Sequence, residues 1–400
     1  MSTSTTRKRK GNRPAGSLSK LKPPSEEQRT LAKKSVRDHF AIVAVALLIT
    51  LGAYCYRTYF AQEDAVFVQP HVPPFAIVDI PGKGKGMVAR RDIQRGELIL
   101  KEKPLFILPS QITHTSPGAY ILHLLAALTP DQQASFYDLS YVNMPQNVVL
   151  GTPEYNDELA LAIVQTNAVA AAGGTGIFPR MARLNHACSS AFNSVYSYRE
   201  DENAIMVYAL KAIKRGEASA DASARYILAD GCPQELLTTY KDTKRPRNER
   251  RSLLQENYGF TCQCRVCSLP DDESQRSDGR LARMVELQSR LRHWGDAQIS
   301  GSEAIGLIND IWATGEEEGY HSERGALAAD GAVIAAAHSD VPAVREWTRL
   351  AHWWYSVELG ADSQSVRDME GIVAHPEKHP WWRTRASESV GRPKFPASAE

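Results

Sequence analysis

Three cysteines within six residues, Cys262, Cys264 and Cys267, limit what this chain can fold into more than any other feature. Thiolates at C-x-C-x-x-C spacing reach a single ion, but a tetrahedral structural zinc needs a fourth ligand. Cys188 is the best donor among the remaining cysteines, since it stands two residues after His186 in a loop-forming stretch. Cys55 lies in an apolar run and Cys232 in an irregular insertion. A site completed by a histidine and a set of free thiols are the other readings. A clamp of Cys188, Cys262, Cys264 and Cys267 would draw two distant segments together and close a pocket between them. It also calls for a reducing compartment.

The first 60 residues differ from the rest. Residues 1–39 are polar, with the basic run Arg7–Lys10, and read as a disordered basic tail. Residues 40–56, FAIVAVALLITLGAYCY, carry no charge. As a helix they would cover roughly 25 Å, slightly short of a hydrocarbon core of roughly 30 Å, with His39, Arg57 and Tyr59 able to reach the interfaces. The expectation is a single-pass transmembrane anchor, in the endoplasmic reticulum or the nuclear envelope. A cleaved signal and a buried helix are the alternatives. The positive-inside rule keeps the tail cytosolic and sends the larger part across the membrane, whereas free thiols favour the reverse, so topology stays open. Beyond the membrane no bulk partner is indicated. With 47 Lys and Arg against 46 Asp and Glu, the formal charge of +1 gives no basic field for nucleic acid. Oligomeric state is not legible.

After a Pro-bearing linker at 57–74 the chain becomes turn-rich and β-forming, with glycines at 82, 84 and 86 ahead of a short strand. A GxG pair with no long helix behind it is weak evidence for a dinucleotide fold. Residues 118–139 and 155–173 have helical apolar periodicity, and strands return around 195–209. A charged helix over 249–257 leads into Tyr258, Phe260 and the cysteine run. Beyond Ser268, helical patterns at 279–294, 302–314, 323–338, 342–359 and 362–373 predict an all-α C-terminal domain over 279–374, with Trp312, Trp347, Trp353 and Trp354 in its core. Residues 375–400 read as a surface tail.

Four stretches carry a family resemblance: GKGKGMVARRDIQRGELILKEKPLF at 82–106, RLNHAC at 183–188, VYALKAIKRGE at 207–217, and TTYKDTKRPRNERRSLLQENYGFTCQCRVC at 238–267. In this order the sequence resembles the SET-domain protein lysine methyltransferases, especially SMYD-like and fungal SET proteins, though no MYND zinc finger is visible. The resemblance implies a β-rich SET fold over 75–261, made of small twisted sheets with a pseudoknot. It also implies inserted helices at 118–173, a post-SET zinc segment at 262–268, and transfer of a methyl group from S-adenosylmethionine to a lysine of a protein substrate. Carried over by position, Lys85, Gly86 and Met87 would line the methionine end of the cofactor, and Asn185 and His186 would hold it. Phe260 would pack on the adenine and Asn167 would contribute from the preceding helix. Tyr240 would be the catalytic tyrosine, also touching the cofactor, and Tyr258 would wall the lysine channel. An aromatic, poorly hydrated channel suits this chemistry, because the attacking amine must be neutral.

The pattern fails in two places. The family reads NH-x-C-x-P-N, but this chain reads NHACSSAFN, with Ser190 and Ala191 in place of Pro and Asn and Asn193 as a shifted substitute. After Gly216 and Glu217 comes ASADASARYILADGCPQ, 218–234, before ELLTTYKD resumes. Closing a loop of that length costs little, roughly 0.6 kcal/mol per doubling. The insertion reads as a natural loop or a gene-model artefact. These departures leave a second reading, a catalytically weak SET-shaped reader or a membrane-tethered scaffold.

Overall fold

The computed structural model describes residues 72–113, 115–215 and 234–395. The β elements are short: β1 (Phe75–Ile80), β2 (Gly84–Ala89), β3 (Leu98–Glu102), β4 (Ile107–Leu108), β5 (Val169–Ala171), β6 (Gly174–Gly176), β7 (Asn185–His186), β8 (Ser194–Arg199), β9 (Ala204–Ala209) and β10 (Leu237–Thr238). Between β4 and β5 lie α1 (Pro117–Ala126), α2 (Pro130–Tyr137) and α3 (Pro153–Asn167). The helical pattern over 118–139 is thus two helices. Thr129 and Gln132 form a reciprocal capping box ahead of Pro130, which starts a new helix there.

The strands make four small sheets. β1 and β2 form an antiparallel hairpin, β9 runs between β3 and β8, and β6 between β4 and β5. Every residue of β9 is buried, as expected of an uninterrupted apolar strand at the centre of a sheet. β10 runs parallel to β7, Leu237 opposite Asn185 and Thr238 opposite His186. This crossing is the expected pseudoknot, and it sets 237–240 beside 184–188. On its other side, 234–236 bonds to β2, Ala89 donating to the Gln234 carbonyl at 3.0 Å and Leu236 to that of Met87 at 2.9 Å. Three segments remote in sequence therefore meet at one place.

Beyond the crossing, α4 (Arg247–Tyr258) ends on Gly259 and leads into the cysteine loop. The remaining helices are α5 (Asp271–Leu291), α6 (Gly301–Glu318), α7 (Arg324–Ala337), α8 (Val341–Leu359) and α9 (Gln364–Ala374). α5 begins eight residues before the apolar periodicity does, because Asp271, Asp272 and Glu273 favour a helix N-terminus without adding any apolar stripe. α7 is rich in alanine and almost wholly buried, and it lies close against α8. Trp312, Trp347 and Trp354 are core residues as expected, while Trp353 is half-buried. The stretch read as a tail lies on this bundle as far as residue 395: Phe395 stacks on Trp312 at 5.6 Å, and Trp347 donates to the Gly391 carbonyl at 3.1 Å. The architecture is the expected one, a mixed β-sheet SET-like core with inserted helices, a cysteine cluster after it, and an all-α C-terminal bundle.

One expectation is corrected. No helix among the described residues is long and apolar enough to cross a membrane, which requires about 20 apolar residues in one helix. Residues 40–56, on which the anchor rested, lie outside the described residues. The membrane partner, the transmembrane helix and the single-pass location are therefore withdrawn. Nearly all of the 218–234 insertion likewise lies outside the described residues, but its two flanks meet: the Lys214 backbone donates to Oε1 of Gln234 at 3.1 Å.

The α7–α8 contact yields a test. A methyl group on Gly331 would come to 2.5 Å from the buried Trp347 ring. Replacing glycine with alanine in a helix ordinarily stabilises by about 1 kcal/mol. Overpacking here outweighs that gain, and Gly331→Ala is expected to destabilise the chain by about 1–3 kcal/mol, read from the shift in denaturant midpoint.

Candidate active site and metal centre

The sulfurs of Cys188, Cys262, Cys264 and Cys267 all lie within 4.8 Å of one another. Cys188 Sγ is 4.0 Å from that of Cys262 and 3.6 Å from that of Cys267, and its backbone N–H donates to Cys264 Sγ at 3.4 Å. An ion held tetrahedrally at about 2.3 Å from each sulfur, as zinc is by thiolates, has sulfur–sulfur edges of about 3.8 Å, so the donor set fits a metal of that size. Hydrogen bonding with the Cys262 thiol pushes the Cys188 thiol up, while hydrogen bonding from Cys188 holds Cys264 down. Arg251 steadies the loop through the carbonyls of Cys262 and Cys267, at 3.2 and 2.9 Å.

His186 links this cluster to the crossing. Its Nδ1 accepts the backbone N–H of Tyr240 at 3.0 Å, which leaves the proton on Nε2, and Nε2 faces Cys188 Sγ at 3.2 Å. One imidazole thus fixes both a sulfur ligand and the tyrosine backbone. The buried Tyr240 hydroxyl donates to the Leu184 carbonyl at 2.8 Å. Around it the ring centroids of Tyr258 and Phe260 lie 4.9 and 6.5 Å away and that of His186 5.3 Å. Exposure falls from the half-buried Tyr258 and Phe260 inward to Tyr240 and His186. Lys241 holds its ammonium 5.8 Å from the Tyr258 ring.

Asn185 lies beside β2. A Cβ on Gly86 would fall 2.3 Å from Ile80 Cδ1 and 2.7 Å from Asn185 Nδ2, so a side chain there would displace one or both. Asn185 Nδ2 donates to Glu235 Oε1 at 2.9 Å, and Lys83 pairs with Oε2 of the same carboxylate at 2.5 Å. The structure places the other expected residues less directly. Met87 is fully buried in the core and faces the crossing only through its carbonyl. The Lys85 ammonium lies on Asp138 at 2.6 Å, where Arg183 joins it, and the hydrogen bond from Lys85 with the charge of Arg183 holds the Asp138 carboxyl below its usual range. Asn167 donates to the carbonyls of Ser140 and Ile163, at 2.7 and 2.8 Å, and so clamps the 140–142 loop. Val142 in that loop packs next to Gly259.

Several residues here escaped the sequence reading. Glu235 stands five residues before Tyr240, at the head of ELLTTYKD, and nothing in that stretch marks it as the partner of Asn185. Asp138 carried no such mark either, because only the fold brings it to Lys85 and Arg183. Glu318, at the end of α6, accepts from the hydroxyls of Ser189 and Ser277 at 2.6 and 2.7 Å and pairs with Arg280 at 2.8 Å, so the bundle grips the residue after Cys188. Asn193 was anticipated as a substitute amide. It donates to the Glu235 carbonyl and accepts from Leu237, at 2.9 and 2.8 Å.

Comparison with known proteins places a SET domain match over residues 84–218. The chain is 30% identical over 197 residues to the histone-lysine N-methyltransferase set5 of Schizosaccharomyces pombe, covering 49% of this chain and 51% of that protein. It is 28% identical over 139 residues to human N-lysine methyltransferase SMYD2, covering 33% and 27%, and 26% identical over 216 residues to the putative SET domain-containing protein L678 of Acanthamoeba polyphaga mimivirus, covering 48% and 76%. The match thus spans about half the length of the fission yeast relative and less of the human one.

Loss of one sulfur should empty the metal centre. Atomic absorption on the purified chain is expected to find one equivalent of metal at Cys188, Cys262, Cys264 and Cys267, and Cys188→Ser to lower the content to a small fraction. Full metal in Cys188→Ser would contradict the ligand set.

Proposed function

We propose that this chain, whose SET domain is related to but diverges from those of the SMYD- and Set5-type lysine methyltransferases, transfers a methyl group from S-adenosylmethionine to the side-chain amine of a lysine in a protein substrate. The observation that carries the reading is the convergence of Asn185, His186, Tyr240, Tyr258 and Phe260 on one crossing, with polar groups on the β2 side and aromatic rings on the other. Bound S-adenosylmethionine would supply an electrophilic methyl group for in-line displacement by an amine. The residues that would hold it are Lys85 and Gly86 in β2, the backbone at Met87, Asn185, His186, and Phe260 against the adenine, with Asn167 acting through the loop it clamps.

The chain's own contribution is alignment and exclusion of water. Tyr258 and Tyr240 wall a poorly hydrated channel that favours the neutral form of the incoming lysine. Tyr240 is held from both ends, its backbone by His186 and its hydroxyl by the Leu184 carbonyl, so the hydroxyl orients the amine from a fixed position. Glu235 fixes the Asn185 amide by taking one of its N–H groups. We assign the four-sulfur centre to a structural zinc, which anchors Cys188 and, through His186, the tyrosine.

Isothermal titration of the full, zinc-loaded chain with S-adenosylmethionine tests the reading. Saturable binding that Asn185→Ala weakens by about tenfold is expected, since a charge-oriented amide contact is worth about 1.5 kcal/mol. In single-turnover assays on a protein substrate, Tyr240→Phe should lower the rate by about 100-fold while changing cofactor affinity only slightly. A folded, zinc-loaded chain that binds no S-adenosylmethionine would overturn the proposal.

A further inference from the structure

Away from the crossing, cations gather where the core meets the bundle. Lys211, just past β9, is half-buried and donates to the carbonyls of Ser190 and Gly319 at 2.6 and 3.3 Å. Arg265 also reaches the Ser190 carbonyl. Arg95, in the turn before β3, lies 5.9 Å from the Trp353 ring. The adjoining Trp354 ring carries Arg324 at 4.6 Å and His321 at 6.3 Å. Arg95, Arg324 and His321 thus gather at one tryptophan pair, while Lys211 and Arg265 share the Ser190 carbonyl and Lys211 also bonds to Gly319, two residues before His321.

Their charge is poorly compensated. Among the described residues no carboxylate lies within ion-pair distance of Arg95, Lys211 or Arg265. Glu316 pairs with Arg324 through Nη1 at 2.7 Å, but the buried Nη2 of Arg324 and the buried Nδ1 of His321 have no hydrogen-bond partner. Glu358 accepts the Arg324 backbone N–H at 2.8 Å, yet burial pushes its carboxyl up to about 8, so it offers little negative charge at neutral pH. Burial and the charges of Arg324, Lys211 and Arg95 push His321 down to about 3, and burial with Arg265, Arg324 and Arg95 pushes Lys211 down to about 8. Buried donors without partners and converging like charges are costly unless a ligand satisfies them.

We propose that Arg95, Lys211, His321 and Arg324 form a binding site for a small oxyanion of the phosphate class, at the seam between the β3–β9–β8 sheet and the α6–α7 turn. Guanidinium and ammonium donors suit a multivalent oxygen acceptor better than a monovalent halide. Arg265 shares the Ser190 carbonyl with Lys211. The bound anion would join Arg95 and Lys211 of the core to His321 and Arg324 of the bundle.

Titration calorimetry of the zinc-loaded full chain, in buffer without free zinc, would use inorganic phosphate, with chloride at matched ionic strength as the control. Saturable phosphate binding absent with chloride, and weakened by about tenfold or more in Arg95→Ala and in Lys211→Met, is the expected result. Arg95 makes no hydrogen bond in the described structure, so Arg95→Ala decides the question by itself if Lys211→Met fails to fold. No saturable phosphate binding by the parent chain, an equal response to chloride, or unaltered affinity in Arg95→Ala would overturn the proposal.

Discussion

The gathering of four sulfurs at one point is the constraint on which the rest of the candidate site depends. Cys188 and the 262–267 loop are far apart in sequence; besides the sulfurs, the buried Val266 and the bond from Arg265 to the Ser190 carbonyl join them, and Arg251 ties the loop backbone. A dication bound there, as proposed, would turn the mutual repulsion of four thiolates into attraction, and the geometry of the cluster reaches beyond its four sulfurs. His186 Nδ1 accepts the Tyr240 backbone N–H, and its Nε2–H in turn donates a hydrogen bond to Cys188 Sγ. The sulfur cluster and the position of the tyrosine are thereby linked through one imidazole.

The C-terminal bundle works on the same residues from the other side. The end of α6 holds the residue after Cys188 through Glu318 and Ser189, and the turn that follows packs Tyr320 against Phe192 at 5.9 Å and pairs Glu323 with the buried Lys244 at 2.7 Å. Burial alone would pull the Lys244 ammonium down, but Glu323 outweighs it and holds that group above its ordinary value. Such a buried pair is not itself a large source of stability. Its role is directional, because Lys244 stands four residues after Tyr240 and Ser189 one residue after Cys188, so the two strands of the crossing are referenced to one rigid turn.

Legibility in the sequence followed the range of the interactions. The SET-like core, the cysteine cluster and the helical C-terminal region could be read because each has a local signature: short alternating strands between glycine turns, close cysteine spacing, and apolar periodicity. Gly86, Asn185, His186, Tyr240, Tyr258 and Phe260 were found through motifs that fix their order, and the fold brings them together. Met87 and Lys85 show what a motif leaves out, since position in a strand does not tell which way a side chain turns; one enters the core and the other reaches Asp138. Glu318 and Asp138 were out of reach for a stricter reason. Their partners lie 38–129 and 45–53 residues away, and a lone carboxylate in an ordinary helix or loop carries no sign of such a partner.

The two departures from the family pattern have different physical weights. Loss of Pro and Asn at 190 and 191 removes a rigid turn and an amide, yet both functions have local replacements. Ser189 takes a left-handed conformation, with φ of 45°, held by Glu318, and the Ser190 carbonyl anchors Lys211 and Arg265. Asn193, two positions on, bridges β8 to the strand that leads to Tyr240. The insertion, by contrast, leaves the surrounding ladder intact: Ile213 still pairs with Ile93, Gln234 meets Lys214, and Ala89 and Leu236 keep their bonds across the same seam. Because the flanks of the insertion are already joined by these bonds, its closure cost is not drawn from the geometry of β10. The site's positioning then rests on the sulfur cluster and the α6–α7 turn, neither of which the insertion interrupts.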